Sequence, residues 1–136
     1  MKKKMNIVIV GLGNIGSYFY NYLRKNKKII FNKTNTIPNI LFVSSRSFVK
    51  KRNFPLSKKI WLKDCLLATK NKNVDIIIEL IGGAEGTAKK LVFEALKNKK
   101  HIITANKALV AKYGDQLSKI AEKNKVNFEF EAAVCG

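Results

Sequence analysis

The six residues Gly11-Leu12-Gly13-Asn14-Ile15-Gly16 follow the pattern G-x-G-x-x-G, a spacing suited to cradling a pyrophosphate. The first glycine permits a tight bend, and the second lets a phosphate approach the backbone with no Cβ in the way. The third lets the following helix pack closely. The helix start then offers unpaired N–H groups and the positive end of its dipole to the anion. The pattern is informative only between a strand and a helix. Asn6 to Val10 is short, β-branched and apolar, and it reads as a buried strand. Ile15 to Lys25 shows helical spacing, with Ile15, Tyr18, Phe19, Tyr22 and Leu23 on one face. The turn therefore reads as a dinucleotide site. No Gly-Lys-Ser/Thr follows, which disfavours a triphosphate-binding loop.

A second group selects the dinucleotide. NAD sites usually place Asp or Glu after the second strand to bind the ribose 2′-hydroxyl. Here that strand is Ile40 to Val43, followed by Ser44-Ser45-Arg46, and no carboxylate occurs before Asp64. Two hydroxyls and a guanidinium suit a 2′-phosphate, because Arg46 can stack on the adenine and fork onto the phosphate. Lys50, Lys51 and Arg52 add charge nearby. The preferred cofactor is NADP(H), with NAD(H) the alternative.

The remaining pattern supplies the scaffold. Ile29 to Pro38 is polar and reads as a loop, and Ser45 to Ser57 as a basic loop. Trp61 to Thr69 reads as a helix with Leu62, Cys65 and Leu66 inward. Asp75 to Leu80 is a buried strand ending at Gly82-Gly83, and Thr87 to Asn98 an amphipathic helix facing inward through Ala88, Leu91, Val92, Ala95 and Leu96. His101 to Thr104 is a fourth strand, and Lys107 to Lys123 a helix adjusted near Gly114. Val126 to Ala132 is a fifth strand. Continuously apolar strands alternating with helices predict an α/β fold: a Rossmann-type, doubly wound, mainly parallel sheet with helices on both faces. Ligands then sit at the carboxyl ends of the strands.

At 136 residues, 46% of them hydrophobic, the chain reads as one globular domain, 1–136. Cys65 and Cys135 form no Cys-x-x-Cys pair, which argues against a disulfide framework and for a reducing cytoplasm. The apolar run Ile7 to Val10 is too short for a signal peptide, and no stretch is long enough to span a bilayer. The net charge is +18, and 15 of the 27 basic residues precede Asp64. Such a bias is compatible with nucleic acid. The lysines are scattered, however, with no interleaved stripe of aromatics. They read as a solvated surface from an AT-rich, Lys- and Asn-rich coding sequence, and no nucleic-acid partner is expected.

Four segments together resemble the homoserine dehydrogenase family. They are Val10-Gly11-Leu12-Gly13-Asn14-Ile15-Gly16, Glu79-Leu80-Ile81-Gly82-Gly83, Thr104-Ala105-Asn106-Lys107-Ala108-Leu109 and Phe130-Glu131-Ala132-Ala133-Val134-Cys135-Gly136. The resemblance implies hydride transfer between NAD(P)H and aspartate 4-semialdehyde, giving L-homoserine for threonine and methionine synthesis. It implies that Lys107 lies beside nicotinamide and substrate, binding the reacting oxygen or relaying its proton, as suits a lysine made less basic by partial burial. Thr104 would contact the nicotinamide end, and Ile81 and Gly82 would line the cleft. Glu79 reads as a satisfied structural acid and His101 as structural. A monovalent cation, commonly sodium, would be held by Glu131 and the carbonyls of Val134 and Gly136.

The family also has a second domain, which binds the small-molecule substrate, forms the dimer and supplies another lysine. The expectation is therefore a cofactor-binding portion with little or no turnover of its own, oligomeric only when that domain is present. Two other readings stand beside it: another amino-acid or aldehyde dehydrogenase of the same architecture, and a non-catalytic nucleotide- or nucleic-acid-binding module.

Overall fold

The computed structural model describes residues 3–48 and 54–130. β1 (Lys3–Val10) runs into α1 (Asn14–Lys25), then α2 (Lys27–Thr34) and β2 (Thr36–Ser44). β3 (Trp61–Leu62) leads through a 3-10 turn at Cys65–Lys70 to β4 (Ile76–Glu79). α3 (Thr87–Lys97), β5 (His101–Thr104), α4 (Lys107–Asn124) and β6 (Phe128–Glu129) complete the order. The six strands form one sheet in the order β3-β2-β1-β4-β5-β6, and every pair is parallel. The winding direction reverses between β1 and β4, so the ligand crevice lies beyond the carboxyl ends of those two strands. The expected Rossmann-type architecture is present.

Alternation along β1 builds two cores. Val8 and Val10 meet Ile77, Ile102, Leu91, Leu96, Leu109 and Leu117 beneath α3 and α4. Ile7 and Ile9 meet Tyr20, Leu23, Val43 and Ile78 beneath α1. Each fully buried leucine contributes roughly 1.5–3 kcal/mol by leaving water. Helices thus cover both faces, and the α3 stripe is buried as its spacing predicts.

Several elements differ from the sequence expectation. Most of Ile29–Pro38 is not loop: it holds the end of α2 and the start of β2. α2 has no buried residue, so no apolar stripe announces it. Asn35 closes it at φ 56, a conformation Asn tolerates well. Pro38 sits inside β2, where a strand interior normally excludes it. The β3 partner reaches only Val43 and Ser44, so Pro38 lies on an edge that needs no donor.

Trp61–Thr69 is not an α-helix. Trp61 and Leu62 pair with β2, and the Asp64 side chain accepts from the Leu66 N–H to start the 3-10 turn. Leu62, Cys65 and Leu66 still face the core, because a 3-10 turn keeps the same i, i+3 neighbours. α4 runs through Gly114 without a break. Of the predicted fifth strand, Val126 to Ala132, Phe128–Glu129 form β6, the sixth in order, and Glu131 and Ala132 lie outside the described residues.

The face of α1 is also rotated. Gly16, Tyr20 and Leu23 are buried, while Ile15, Tyr18 and Tyr22 are 65%, 70% and 44% exposed. The cause is Gly16, which must face the turn.

Candidate functional site

The glycine turn is held from both sides. The Gly11 N–H donates to the Ser44 carbonyl at 2.9 Å, joining the turn to the end of β2. Gly11 has φ +104, and a Cβ there would lie 2.8 Å from the Leu80 carbonyl carbon and oxygen. A Cβ on Gly16 would lie 1.8 Å from the Gly11 carbonyl oxygen. The third glycine therefore lets α1 pack against the turn itself. Around Gly13 there is nothing within 4 Å of a Cβ among the described residues. Gly13 caps α1 without a side-chain hydrogen bond, and the first turn holds no acid. Leu12 is buried and anchors the turn, whereas Asn14 and Ile15 are exposed. The result is an open, positively polarised helix start, the arrangement an anion needs.

Toward β2 and β3 lie two open cavities of about 350 and 370 Å³. The second joins Gly11, Leu12 and Gly13 to Arg46 and Ile81. The first is lined by Ser44, Ser45, Arg46, Lys63, Cys65 and Thr87, among others. Ser44 is buried at the end of β2, and Arg46 is exposed beyond it. Ser45 Oγ accepts from Trp61 Nε1 at 3.0 Å and donates to the Ser47 carbonyl at 3.1 Å, which shapes the loop carrying Arg46. Lys63 is a cation that the sequence alone does not single out. It reaches this cavity because Trp61–Leu62 is a strand, and reading that segment as helix hides it. Lys50, Lys51 and Arg52 lie outside the described residues.

Burial pushes the Cys65 thiol above its ordinary value, and the Asp64 charge adds to the shift. Cys65 is thus an unreactive wall. At the rim, the Lys112 ammonium hydrogen-bonded to Glu85 holds its carboxyl down to about 2, with the Tyr113 hydroxyl adding to the effect. Lys89 also pairs with Glu85, at 3.3 Å. Glu85 itself lines the first cavity, and these pairings tie its charge to α3 and α4.

A third cavity of about 130 Å³ lies beyond β4 and β5, lined by Ile15, Glu79, Ile81, Gly82, Ala105 and Asn106, with Leu80. Glu79 is 0% exposed. Its Oε2 accepts the N–H groups of Ile81 and Gly82, each at 2.9 Å, and its Oε1 accepts the Thr104 hydroxyl at 2.5 Å. Glu79 is satisfied, as a buried carboxylate must be. Thr104 is 1% exposed, and its Oγ1 also accepts the Asn106 N–H at 3.0 Å. Its hydroxyl is committed beneath the cavity, while Ala105 and Asn106 form the wall. Lys107 begins α4 and is exposed. The partial burial expected of it is not found, because the first turn of α4 projects it away from the core. His101 Nδ1 accepts the Asn127 N–H at 3.0 Å, a structural role. Glu131, Val134 and Gly136 lie outside the described residues. Among the described residues, no group of three His, Cys, Asp or Glu side chains is placed to hold a metal, and no helix is long and apolar enough to cross a membrane.

The turn, the Ser44–Arg46 segment, the Ile81–Gly82 loop and the Thr104–Lys107 loop all follow strand carboxyl ends, along one edge of one sheet. Residues 11–131 match the family described as "Homoserine dehydrogenase, NAD binding domain". The chain is 39% identical over 134 residues to the homoserine dehydrogenase of Neisseria gonorrhoeae, covering 98% of this chain and 30% of that protein. It is 34% identical to that of Bacillus subtilis, covering 98% and 31%. A crystal structure of S. aureus homoserine dehydrogenase at pH 8.5 superposes with a TM-score of 0.90 at 36% identity, over 98% of this chain and 33% of that one. The chain spans about 30% of the length of the curated relatives it matches.

Proposed function

The chain belongs to the homoserine dehydrogenase family, matching its nicotinamide-binding domain, and on that premise we propose that its 136 residues form a single NADP(H)-binding domain. The reaction it serves is hydride transfer between NAD(P)H and L-aspartate 4-semialdehyde, giving L-homoserine.

The observation that carries this reading is the row of three cavities along the carboxyl edge. The cavity at Ser44, Arg46 and Lys63 suits the adenosine 2′-phosphate, because it presents two cations, and the one acid in its described lining, Glu85, is paired with Lys89 and Lys112. The open space at Gly13 and the uncapped start of α1 suit the pyrophosphate. The cavity at Ile81, Gly82 and Asn106 suits the nicotinamide. When bound, the nicotinamide supplies or accepts the hydride. The chain's own residues bind and orient it, and Lys107 holds the reacting oxygen or moves its proton at Nζ. The resemblance assigns the binding of the small-molecule substrate, and a second lysine, to a further domain. The 136 residues alone therefore bind cofactor weakly and do not turn over.

The purified chain, given L-homoserine and NADP+, is expected to produce no absorbance increase at the nicotinamide band above background. Sustained turnover by this chain would overturn the assignment of the substrate groups to another domain.

A further inference from the structure

The geometry points to Glu79 as a positioning residue for the nicotinamide end of the site. The inference rests on the nicotinamide reading of the smallest cavity and deepens it.

A carboxylate offers acceptors only, so every group that satisfies it must bring a donor. Glu79 is the last residue of β4, and its register partner across the ladder is Thr104, the last residue of β5. Two donors come from its own strand's continuation, the N–H groups of Ile81 and Gly82. The third is the Thr104 hydroxyl. From Thr104 the chain of bonds continues. Its Oγ1 accepts the Asn106 N–H, and Asn106 Nδ2 donates to the Gly83 carbonyl at 2.6 Å. Asn106 Oδ1 accepts the Leu109 N–H at 3.1 Å and caps α4.

These bonds close a ring. Glu79 grips the 81–82 backbone from below, and Asn106 grips Gly83 from the side. Thr104 ties the two grips together. The members of this ring carry both loops that wall the cavity, and Asn106 immediately precedes Lys107. Packing alone needs no such ring, since an apolar residue fills a buried strand position equally well. The charge stands beneath the cavity and fixes where the two loops stand relative to each other.

The test separates the nicotinamide end from the rest of the site. Affinities of the 136-residue chain for NADPH and for 2′,5′-ADP, which carries the adenosine end only, are compared in the parent and in Thr104→Val, Thr104→Ser and Glu79→Gln. Thr104→Val keeps the shape and removes the link. It is expected to weaken NADPH about tenfold, the order expected for losing a hydrogen bond to a charged group, while 2′,5′-ADP stays within about twofold. Thr104→Ser keeps the hydroxyl and is expected to match the parent. Glu79→Gln is expected to follow Thr104→Val, and if it does not fold, the Val and Ser pair decides. Equal weakening of both ligands, or no weakening of NADPH in Thr104→Val, overturns the inference. Failure of the parent to bind either ligand overturns the proposed function instead.

Discussion

Gly16→Ala is expected to abolish measurable dinucleotide binding while the sheet stays folded. The new Cβ would sit 1.8 Å from the Gly11 carbonyl oxygen. That atom is backbone, so no side chain can swing aside. Either α1 or the turn must shift, and overpacking of this kind costs about 1–3 kcal/mol. The same shift carries the N–H groups at the start of α1 away from the phosphate position. The sheet core on the α3 and α4 side does not touch this contact and should survive. Gly13→Ala gives the informative contrast. Its Cβ meets nothing within 4 Å among the described residues, so the free chain should keep its Tm. The methyl group would instead stand in the proposed pyrophosphate space, and binding should fall with no loss of stability. Calorimetric unfolding and NADPH fluorescence titration of both variants check the pair. Unchanged binding in Gly16→Ala would mean that the turn is not the phosphate site.

Arg46→Ala is expected to weaken NADPH by about 10–100-fold and NADH by much less, since NADH loses only the stacking on adenine. Charge-assisted hydrogen bonds are worth about 1.5–3 kcal/mol, which sets that range. Only the 2′-phosphate distinguishes the two cofactors, so the difference reports on Arg46 directly. Lys63 lines the same cavity and should retain part of the preference, leaving the double variant Arg46→Ala/Lys63→Ala weaker still. The preference should also shrink with added salt, because the Arg46 side chain is exposed and screened. Equal affinity of the parent chain for NADPH and NADH would reject the 2′-phosphate assignment.

Legibility in the sequence follows burial. β1, β4, β5 and α3 are buried on their working faces, so their apolar periodicity names them. α2 buries nothing and is invisible to a pattern search. β3 has two residues, too few for any period to register, and its misreading hides Lys63. The face of α1 follows no hydrophobic stripe, because the contact of Gly16 with Gly11 sets the rotation. The turn itself was fully readable, since its glycines are required by local geometry. The Glu79 ring was half readable. A carboxylate in an apolar strand signals a satisfied acid, but its partners lie on β5 and appear only when β4 and β5 pair in register.

A nicotinamide dinucleotide is proposed to bind along the carboxyl edge of this sheet. An amide-resolved NMR titration of the 136-residue chain with NADPH tests it most directly. The predicted result is saturable shifts of the amides at Gly11 to Gly16, Ser44 to Arg46 and Ile81 to Gly83, with α2 and the opposite edge of the sheet unmoved. Shifts spread over the lysine-bearing surface and reproduced by duplex DNA, or no shift at the glycine turn, would contradict it.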